Sequence, residues 1–367
     1  MRHRYRIIPV FIPHASCPNQ CLFCNQKKIT GVSAFDFISV KETIEKCIGS
    51  SRAGEPFNEI AFYGGSFTAI SQDEQEALLG IAKFYIDKGA VKSIRVSTRP
   101  DCINEDALSR LKRYGAKTIE LGVQSMSDAV LLANKRGHTR RDTEEASKMI
   151  RTAGFTLGHQ IMFGLYKDTR SAMLETIEES LMLKPDFLRV YPCLVIKGTE
   201  LARLYSEGEY EPLSLKEAIE ICKIAYLRAT DKNVKIIRMG IHPDNDFVES
   251  GFIAGPFHPA FKFLVMSSLF LDLSELLIKN NDLNGDITVY LNERDTANFI
   301  GDKRENINRI KEKYPISNVS IINSKDVAEG SISIKYKDLY YNANILDVPL
   351  KKICATSKEA LFSSLWA

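Results

Sequence analysis

From Arg6 to Ile241 short β-rich runs alternate with longer amphipathic stretches. That alternation predicts repeated βα units around a parallel sheet. Strands are expected near Arg6–Pro13, Glu59–Tyr63, Ser93–Ser97, Thr118–Val123, Thr156–Phe163, Phe187–Tyr191 and Val234–Met239. Helices fall between them. In EALLGIAKFYIDKG, Leu78, Leu79, Ile81, Ala82 and Tyr85 share one face and Gly89 ends the pattern. The rhythm changes at Gly251, where GFIAGPFHPAF reads as a turn and Phe261–Lys279 as a helix with an apolar face. From Asp286 the expected order is strand (ITVYL), helix (ERDTANFI), loop (GDKR), helix (ENINRIKEKY), strand (NVSII), strand (SISIKY) and a helix around Lys358–Leu365. The chain therefore divides into residues 1–250, a connector over 251–284, and a small α+β domain over 285–367.

Composition narrows the class without naming a function. Of 367 residues, 44% are hydrophobic and 26% charged, which are globular values and exclude disorder. The net charge of +3 neither requires nor forbids a nucleic-acid partner. The opening MRHRYRIIPVFIPH is proline-broken and reads as a strand, not a signal peptide. No apolar run reaches the roughly 18 residues of a membrane span. With free cysteines, this leads to the expectation of a cytoplasmic protein.

Three of the eight cysteines lie in SCPNQCLFC as Cys17, Cys21 and Cys24, in the order CxxxCxxC. Such a loop can present three thiolates to one face of an iron–sulfur cube and leave the fourth iron without a protein ligand. A zinc knuckle, a disulfide with a spare thiol, and buried core cysteines are the other readings. Zinc wants four ligands, yet cysteines 47, 102, 193, 222 and 354 follow no ligand spacing and His14 is the nearby histidine. After the second strand comes YGGSFT, whose paired glycines permit a close backbone approach to a ligand, although Gly-Gly also serves ordinary turns.

The cysteine segment, with Phe23 before its third cysteine, resembles the signature of radical S-adenosylmethionine (radical SAM) enzymes. The resemblance implies a partial (β/α)6 barrel whose chemistry sits at the C-terminal ends of the strands. It implies a 4Fe–4S cluster on Cys17, Cys21 and Cys24, and S-adenosylmethionine held by Gly64, Gly65 and Ser66 together with Phe23, Ser97, Gln124, Arg136 and Gln160. Some relatives carry carboxylates at the places of Ser97 and Gln160; a neutral hydroxyl or amide can still bond a ribose. Arg136 suits the cofactor's carboxylate. FIPHASCPNQCLFCNQ, YGGSFTAI, IELGVQS, KRGHT, IMFGL, LRVYPCLVIKGTEL and IIRMGIHP are similar, more narrowly, to the radical domain of the elongator complex catalytic subunit, which acts on wobble uridines of transfer RNA. That subunit also carries an acetyltransferase domain, for which this chain is expected to be too short.

The C-terminal order resembles an RNA-binding KH domain, in which a GxxG loop clamps the nucleotide backbone. Gly301, Lys303 and Arg304 are the implied RNA contacts, with Arg304 where the second glycine belongs. The neighbouring Arg309, Lys311 and Lys313 add charge, which a solvated helix face explains equally well.

Three functions are compatible with these motifs. The first is a radical enzyme modifying a nucleotide in transfer or ribosomal RNA, fed electrons by a flavodoxin- or ferredoxin-type donor. The second is a radical enzyme acting on a metabolite or porphyrin-like molecule, since coproporphyrinogen-oxidase-like proteins share several strand-end motifs. The third is a non-catalytic iron–sulfur RNA-binding protein. A second cysteine triad is missing, which argues against sulfur insertion. Cys193 is the one candidate for a reactive thiol, though a strand cysteine is usually a small buried hydrophobe. His14, His138, His159, His242 and His258 are expected to be packing or capping residues.

Overall fold

The computed structural model describes residues 5–12, 20–25, 36–50, 55–241 and 251–350. The chain forms two compact units: residues 1–218 with 234–257, and residues 219–233 with 258–367. The expected boundary fell at 250/251.

The first unit is built on β1 (Ile7–Ile12), α1 (Phe37–Gly49), β2 (Phe57–Gly64), α2 (Gln72–Asp87), β3 (Val91–Thr98), α3 (Glu105–Arg113) and β4 (Ala116–Gln124). It continues through α4 (Asp128–Ala133), α5 (Arg140–Thr152), β5 (Thr156–Phe163), α6 (Arg170–Met182), β6 (Phe187–Pro192), β7 (Val195–Ile196) and α7 (Glu200–Ser206), then, after α8 (Leu215–Asp231), most of which belongs to the second unit, through β8 (Lys235–Met239). Seven strands form one sheet in the order β1-β2-β3-β4-β5-β6-β8, and every neighbouring pair is parallel. The order is linear, so this is the expected partial barrel. A short β9 (Phe252–Ala254) pairs antiparallel with β7, giving residues of the GFIAGP turn a strand.

Local chemistry explains these elements. Ser71 opens α2 with a capping box: its hydroxyl accepts from the Glu74 amide (3.3 Å) while Glu74 accepts from the Ser71 amide (3.1 Å). Leu78, Leu79, Ala82 and Tyr85 are its buried face. Gly89, at φ +72°, ends it by donating to the Ile86 carbonyl. The strands of a parallel sheet are covered on both faces, and their outward residues such as Ile60, Phe62, Ile94, Val96, Ile119 and Leu121 are almost wholly buried.

Inside the curl the strands carry charge. Arg95 of β3 donates to Glu59 of β2 and to Glu120 of β4, and Thr118 donates to Glu59. Arg189 of β6 lies 3.1 Å from Glu120 through Nε and donates to the Tyr63 hydroxyl through Nη2 (2.7 Å). The result is a buried ionic ladder across β2, β3, β4 and β6. Burial alone disfavours the Arg95 charge, but the Glu120 and Glu59 carboxylates outweigh it and hold the guanidinium above its ordinary range.

The second unit contains β10 (Gly285–Leu291), α10 (Thr296–Ile300), α11 (Glu305–Lys313), β11 (Ile316–Asn323), β12 (Ser331–Tyr336) and β13 (Leu339–Asn344), preceded by the long helix α9 (Phe261–Asn280). Its sheet is mixed, in the order β11-β10-β12-β13, with β10 and β11 parallel. The long helix is its central apolar element, burying Phe261, Val265, Leu269, Phe270, Leu273, Leu277 and Ile278. Lys223 is bonded to it through Asp272 (2.5 Å) and Ser268 (3.1 Å). Asn306 ties α11 down, donating to the Ser267 and Phe299 carbonyls (2.9 and 3.1 Å).

The strand-helix-helix-strand-strand order agrees with expectation, and β13 is an addition to it. Its turn is made by Lys337 at φ +55°, without the glycine or asparagine that would have announced a hairpin. The helix expected around Lys358–Leu365 lies outside the described residues. Among the described residues no helix is long and apolar enough to cross a membrane.

Candidate cofactor site

At the carboxyl edge of the seven-stranded sheet lies a cavity of about 610 Å³. Its wall includes Cys21, Phe23, Cys24, Gly64, Gly65, Ser66, Ser97, Gln124, Arg136 and Gln160. All eight residues expected to contact the cofactor therefore meet at one place with two of the three expected metal ligands. The third, Cys17, lies outside the described residues. The convergence follows from topology, because a parallel sheet delivers every strand's last residues to the same edge.

The cysteine loop is anchored by its middle. Leu22 is buried; its amide donates to the Asn134 carbonyl (3.2 Å), its carbonyl accepts from the Leu201 amide (2.9 Å), and the Cys24 amide closes a turn onto the Cys21 carbonyl (3.2 Å). Asn134 is itself fixed, since its side chain donates to the Tyr166 carbonyl and accepts from the Tyr166 amide. Cys193 packs in the same apolar cluster as Leu22. Burial pushes its thiol up to about 12, so it is a protonated core residue.

Opposite the thiols, Arg136 extends from the loop after α4. Its Nη1 donates to Cys21 Sγ (3.2 Å) and its Nη2 to the Gly122 carbonyl (2.7 Å), while Nε is buried without a hydrogen-bond partner. Gln124 ends β4 at φ +63°, a left-handed conformation that costs a non-glycine residue about 1 kcal/mol or more. Its Oε1 is also buried and unpartnered. Two buried polar atoms left without partners beside a cavity mark places where a polar ligand belongs.

Gly122 is the member that sequence reasoning passed over. A Cβ there would come within 3.1 Å of the Gln124 amide nitrogen and 3.3 Å of Arg136 Nη2. The missing side chain lets both groups lie flat against β4. Nothing in ELGVQS advertises this, because the crowding comes from the loop that carries Arg136.

On the β2 side, Gly64 turns at φ +107° and the Gly65 amide donates to the Ile12 carbonyl (2.9 Å). Ser66 is buried against Thr98 (2.8 Å) and accepts from the Arg99 amide (3.2 Å). Arg99 forks onto Asp101 (2.9 and 2.8 Å) and keeps Nη1 unpartnered.

The histidines fall away from this chemistry. His138 donates through Nε2 to the Val123 carbonyl (3.2 Å); burial and the neighbouring Arg136 and Arg99 bring its pKa down to about 3. His159 is enclosed between Ser147 (3.0 Å) and Ser180 (2.9 Å), where burial lowers it to about 3. His258 accepts from the Ala260 amide as a local cap (3.1 Å). His14 and His242 lie outside the described residues.

The loop expected to touch RNA has a defined shape. Gly301 adopts φ +79°, and a Cβ on it would meet the Asn306 amide at 3.0 Å. Lys303 and Arg304 are both left-handed, at φ +45° and +65°. Arg304 thus takes the conformation for which glycine is the natural residue. Among the described residues, Arg309 and Lys313 are ion-paired to Glu305 (3.8 Å) and Glu275 (2.8 Å), and Lys303, Arg304 and Lys311 are not.

Residues 11–179 match the family model described as the radical SAM superfamily, and residues 185–270 the radical SAM C-terminal domain. The tRNA uridine(34) acetyltransferase of Methanocaldococcus jannaschii is 28% identical over 259 residues, covering 60% of this chain and 48% of that one. Human elongator complex protein 3 is 28% identical over 209 residues, covering 50% of this chain and 37% of the relative. The chain thus spans half or less of the length of these two relatives. Among solved structures, archaeal Methanocaldococcus infernus Elp3 with an N-terminal deletion superposes with a TM-score of 0.56 at 22% identity, covering 72% of this chain and 62% of that one.

Proposed function

The chain belongs to the radical SAM superfamily, and from that premise we propose that it reductively cleaves S-adenosylmethionine and modifies a nucleotide in RNA. The observation that carries this reading is the convergence of Cys21, Cys24, Arg136 and Gln124 on one cavity beside unpartnered buried polar atoms. The superfamily implies a 4Fe–4S cluster and S-adenosylmethionine, and the residues present fit both: thiols on an anchored loop, a guanidinium beside one of them, and a cradle kept open by Gly122. When bound, the pair supplies a carbon radical, formed as one electron breaks a carbon–sulfur bond of S-adenosylmethionine.

The chain's own residues divide the remaining work. Cys17, Cys21 and Cys24 would hold three irons. Arg136 offers its spare Nε to the cofactor's carboxylate, and Gln124 its Oε1 to a donor such as an ammonium. Ser97 and Gln160 face the cavity with groups that suit a ribose. Phe23, Met162, Leu194 and Ile196 give it an apolar wall, of which Leu194 and Ile196 are buried, and such a wall limits water around a reactive species.

The RNA half rests on the second unit and on the name of the archaeal relative, a tRNA uridine(34) acetyltransferase. Gly301, Lys303 and Arg304 present a left-handed loop and two cations without an ion pair among the described residues, before the first turn of α11. That suits a phosphate backbone. An electron donor of flavodoxin or ferredoxin type completes the scheme.

The deciding experiment is anaerobic reconstitution with iron and sulfide, followed by dithionite and S-adenosylmethionine, with 5′-deoxyadenosine quantified with and without total transfer and ribosomal RNA. Deoxyadenosine whose rate rises with RNA supports the reading. Formation indifferent to RNA would move the substrate to small molecules, and none from a fully assembled cluster would leave an iron–sulfur RNA-binding protein.

A further inference from the structure

Arg238 differs from the other guanidinium groups of the cavity. Arg189 lies against Glu120 (3.1 Å), Arg99 is forked onto Asp101, and Arg136 is engaged with Cys21 and the Gly122 carbonyl. Arg238, half-buried on β8, lines the same cavity and stands beside Arg189 in the parallel register. Among the described residues it has neither an ion pair nor a hydrogen bond. The carboxylate that could have neutralised it, Glu120, is already held between Arg95 and Arg189. A guanidinium keeps its charge in any protein environment. The β6–β8 wall therefore carries a cation that the described residues leave uncompensated, in a cavity otherwise rich in apolar side chains.

Two phenols complete the arrangement. Tyr63 and Tyr191 both line the cavity and accept from Arg189, through Nη2 (2.7 Å) and Nη1 (3.4 Å). Each keeps its own O–H hydrogen for a further acceptor. Burial holds both in the protonated form, Tyr63 at about 12 with help from Glu120. Two committed donors and a free cation on one wall are a receptor for an oxyanion.

We propose that Arg238, with the hydroxyls of Tyr63 and Tyr191, anchors an oxyanion of the substrate in the cavity, and that this anion is a phosphate of the target nucleotide. The identity of the anion rests on the RNA reading above; the anchor itself does not.

The test uses the cluster-loaded protein with S-adenosylmethionine, as wild type and as Arg238→Gln, Arg238→Lys and Tyr191→Phe. Each is titrated calorimetrically with the four nucleoside 5′-monophosphates, their nucleosides, and succinate as a small carboxylate. At least one monophosphate is expected to bind roughly tenfold tighter than its nucleoside. That advantage should vanish in Arg238→Gln and survive in part in Arg238→Lys. Tyr191→Phe, which removes a donor at nearly constant volume, should lower it several-fold and keeps the test open should Arg238→Gln fail to fold. If succinate alone shows the Arg238-dependent gain, the anchor stands and the RNA reading falls. If no probe distinguishes Arg238→Gln from wild type, the anchor is wrong, while the response of deoxyadenosine formation to RNA still judges the RNA reading independently.

Discussion

Arg136 and Cys21, 115 residues apart in the chain, meet through a hydrogen bond of 3.2 Å from guanidinium Nη1 to the thiol sulfur. In the proposed site, Arg136 would therefore answer to a cluster ligand and to the cofactor at once. Replacing it with Gln leaves all three candidate ligands intact, so iron and sulfide should still load. Affinity for S-adenosylmethionine is expected to fall roughly 10- to 100-fold, by analogy with the loss of groups that orient metal ligands. Cys21→Ala, by contrast, should lose iron itself. An Arg136→Gln protein that binds the cofactor as tightly as wild type in equilibrium dialysis would remove this role.

Gly122→Ala tests the cradle without touching any polar group. The added methyl reaches the Gln124 amide and Arg136 Nη2, both ends of flexible side chains. Stability should change by less than about 1 kcal/mol, because the neighbours can give way. The same displacement would spoil the alignment of two proposed cofactor contacts, and the cofactor's KM should rise several-fold. A KM equal to wild type would show that the two groups do not need the space.

Asp168 predicts a signature in stability against pH. Its carboxylate accepts from the Gly164 and Thr169 amides (3.1 and 3.0 Å), yet burial outweighs those bonds and raises its pKa from 3.8 to about 7. Between those values the native state binds more protons than the unfolded chain. This group's contribution to stability therefore declines as pH rises from 3.8 to about 7 and is level above that, with a slope of at most about 1.4 kcal/mol per pH unit. Asp168→Asn lacks the titration. Melting curves of the two proteins should separate over that interval in favour of Asn, and parallel curves would refute the assignment.

Arg304→Gly separates the two properties of the loop. Relief of the left-handed strain at φ +65° is partly offset by the greater freedom of glycine in the unfolded chain, so a net gain of up to about 1 kcal/mol is expected in denaturant titrations. Loss of the cation should weaken RNA binding and lower the salt dependence by roughly one phosphate contact. An unchanged salt slope would mean that Arg304 does not meet the backbone.

Much of this arrangement was readable in the sequence because the strands are apolar on their outer face and end in short polar motifs. The seven expected strands overlap the seven observed, and the motifs at their ends share a cavity because parallel strands finish at one edge. What escaped notice depends on partners distant in sequence. Gly122 looks like any strand glycine until Arg136 is folded over it. The ionic ladder did leave a trace, as single charges in apolar runs: NEIAF, SIRVS, IELGV and LRVYP. Period alone did not show that these charges face one another. Strand β13 left a weaker signal, because its turn places Lys337 at φ +55°, where glycine or asparagine is usual.

The ladder of Glu59, Arg95, Glu120 and Arg189 also acts as a checksum on assembly. Each rung comes from a different strand, and a slip of one residue in any of them would carry its charge to the opposite face and strand its neighbours inside the barrel without a counter-ion. Misregistered sheets are thereby penalised in proportion to how nearly complete they are. The interior that receives ligand can be polar without being permissive, since the same charges that furnish its walls accept only one alignment of the strands around them.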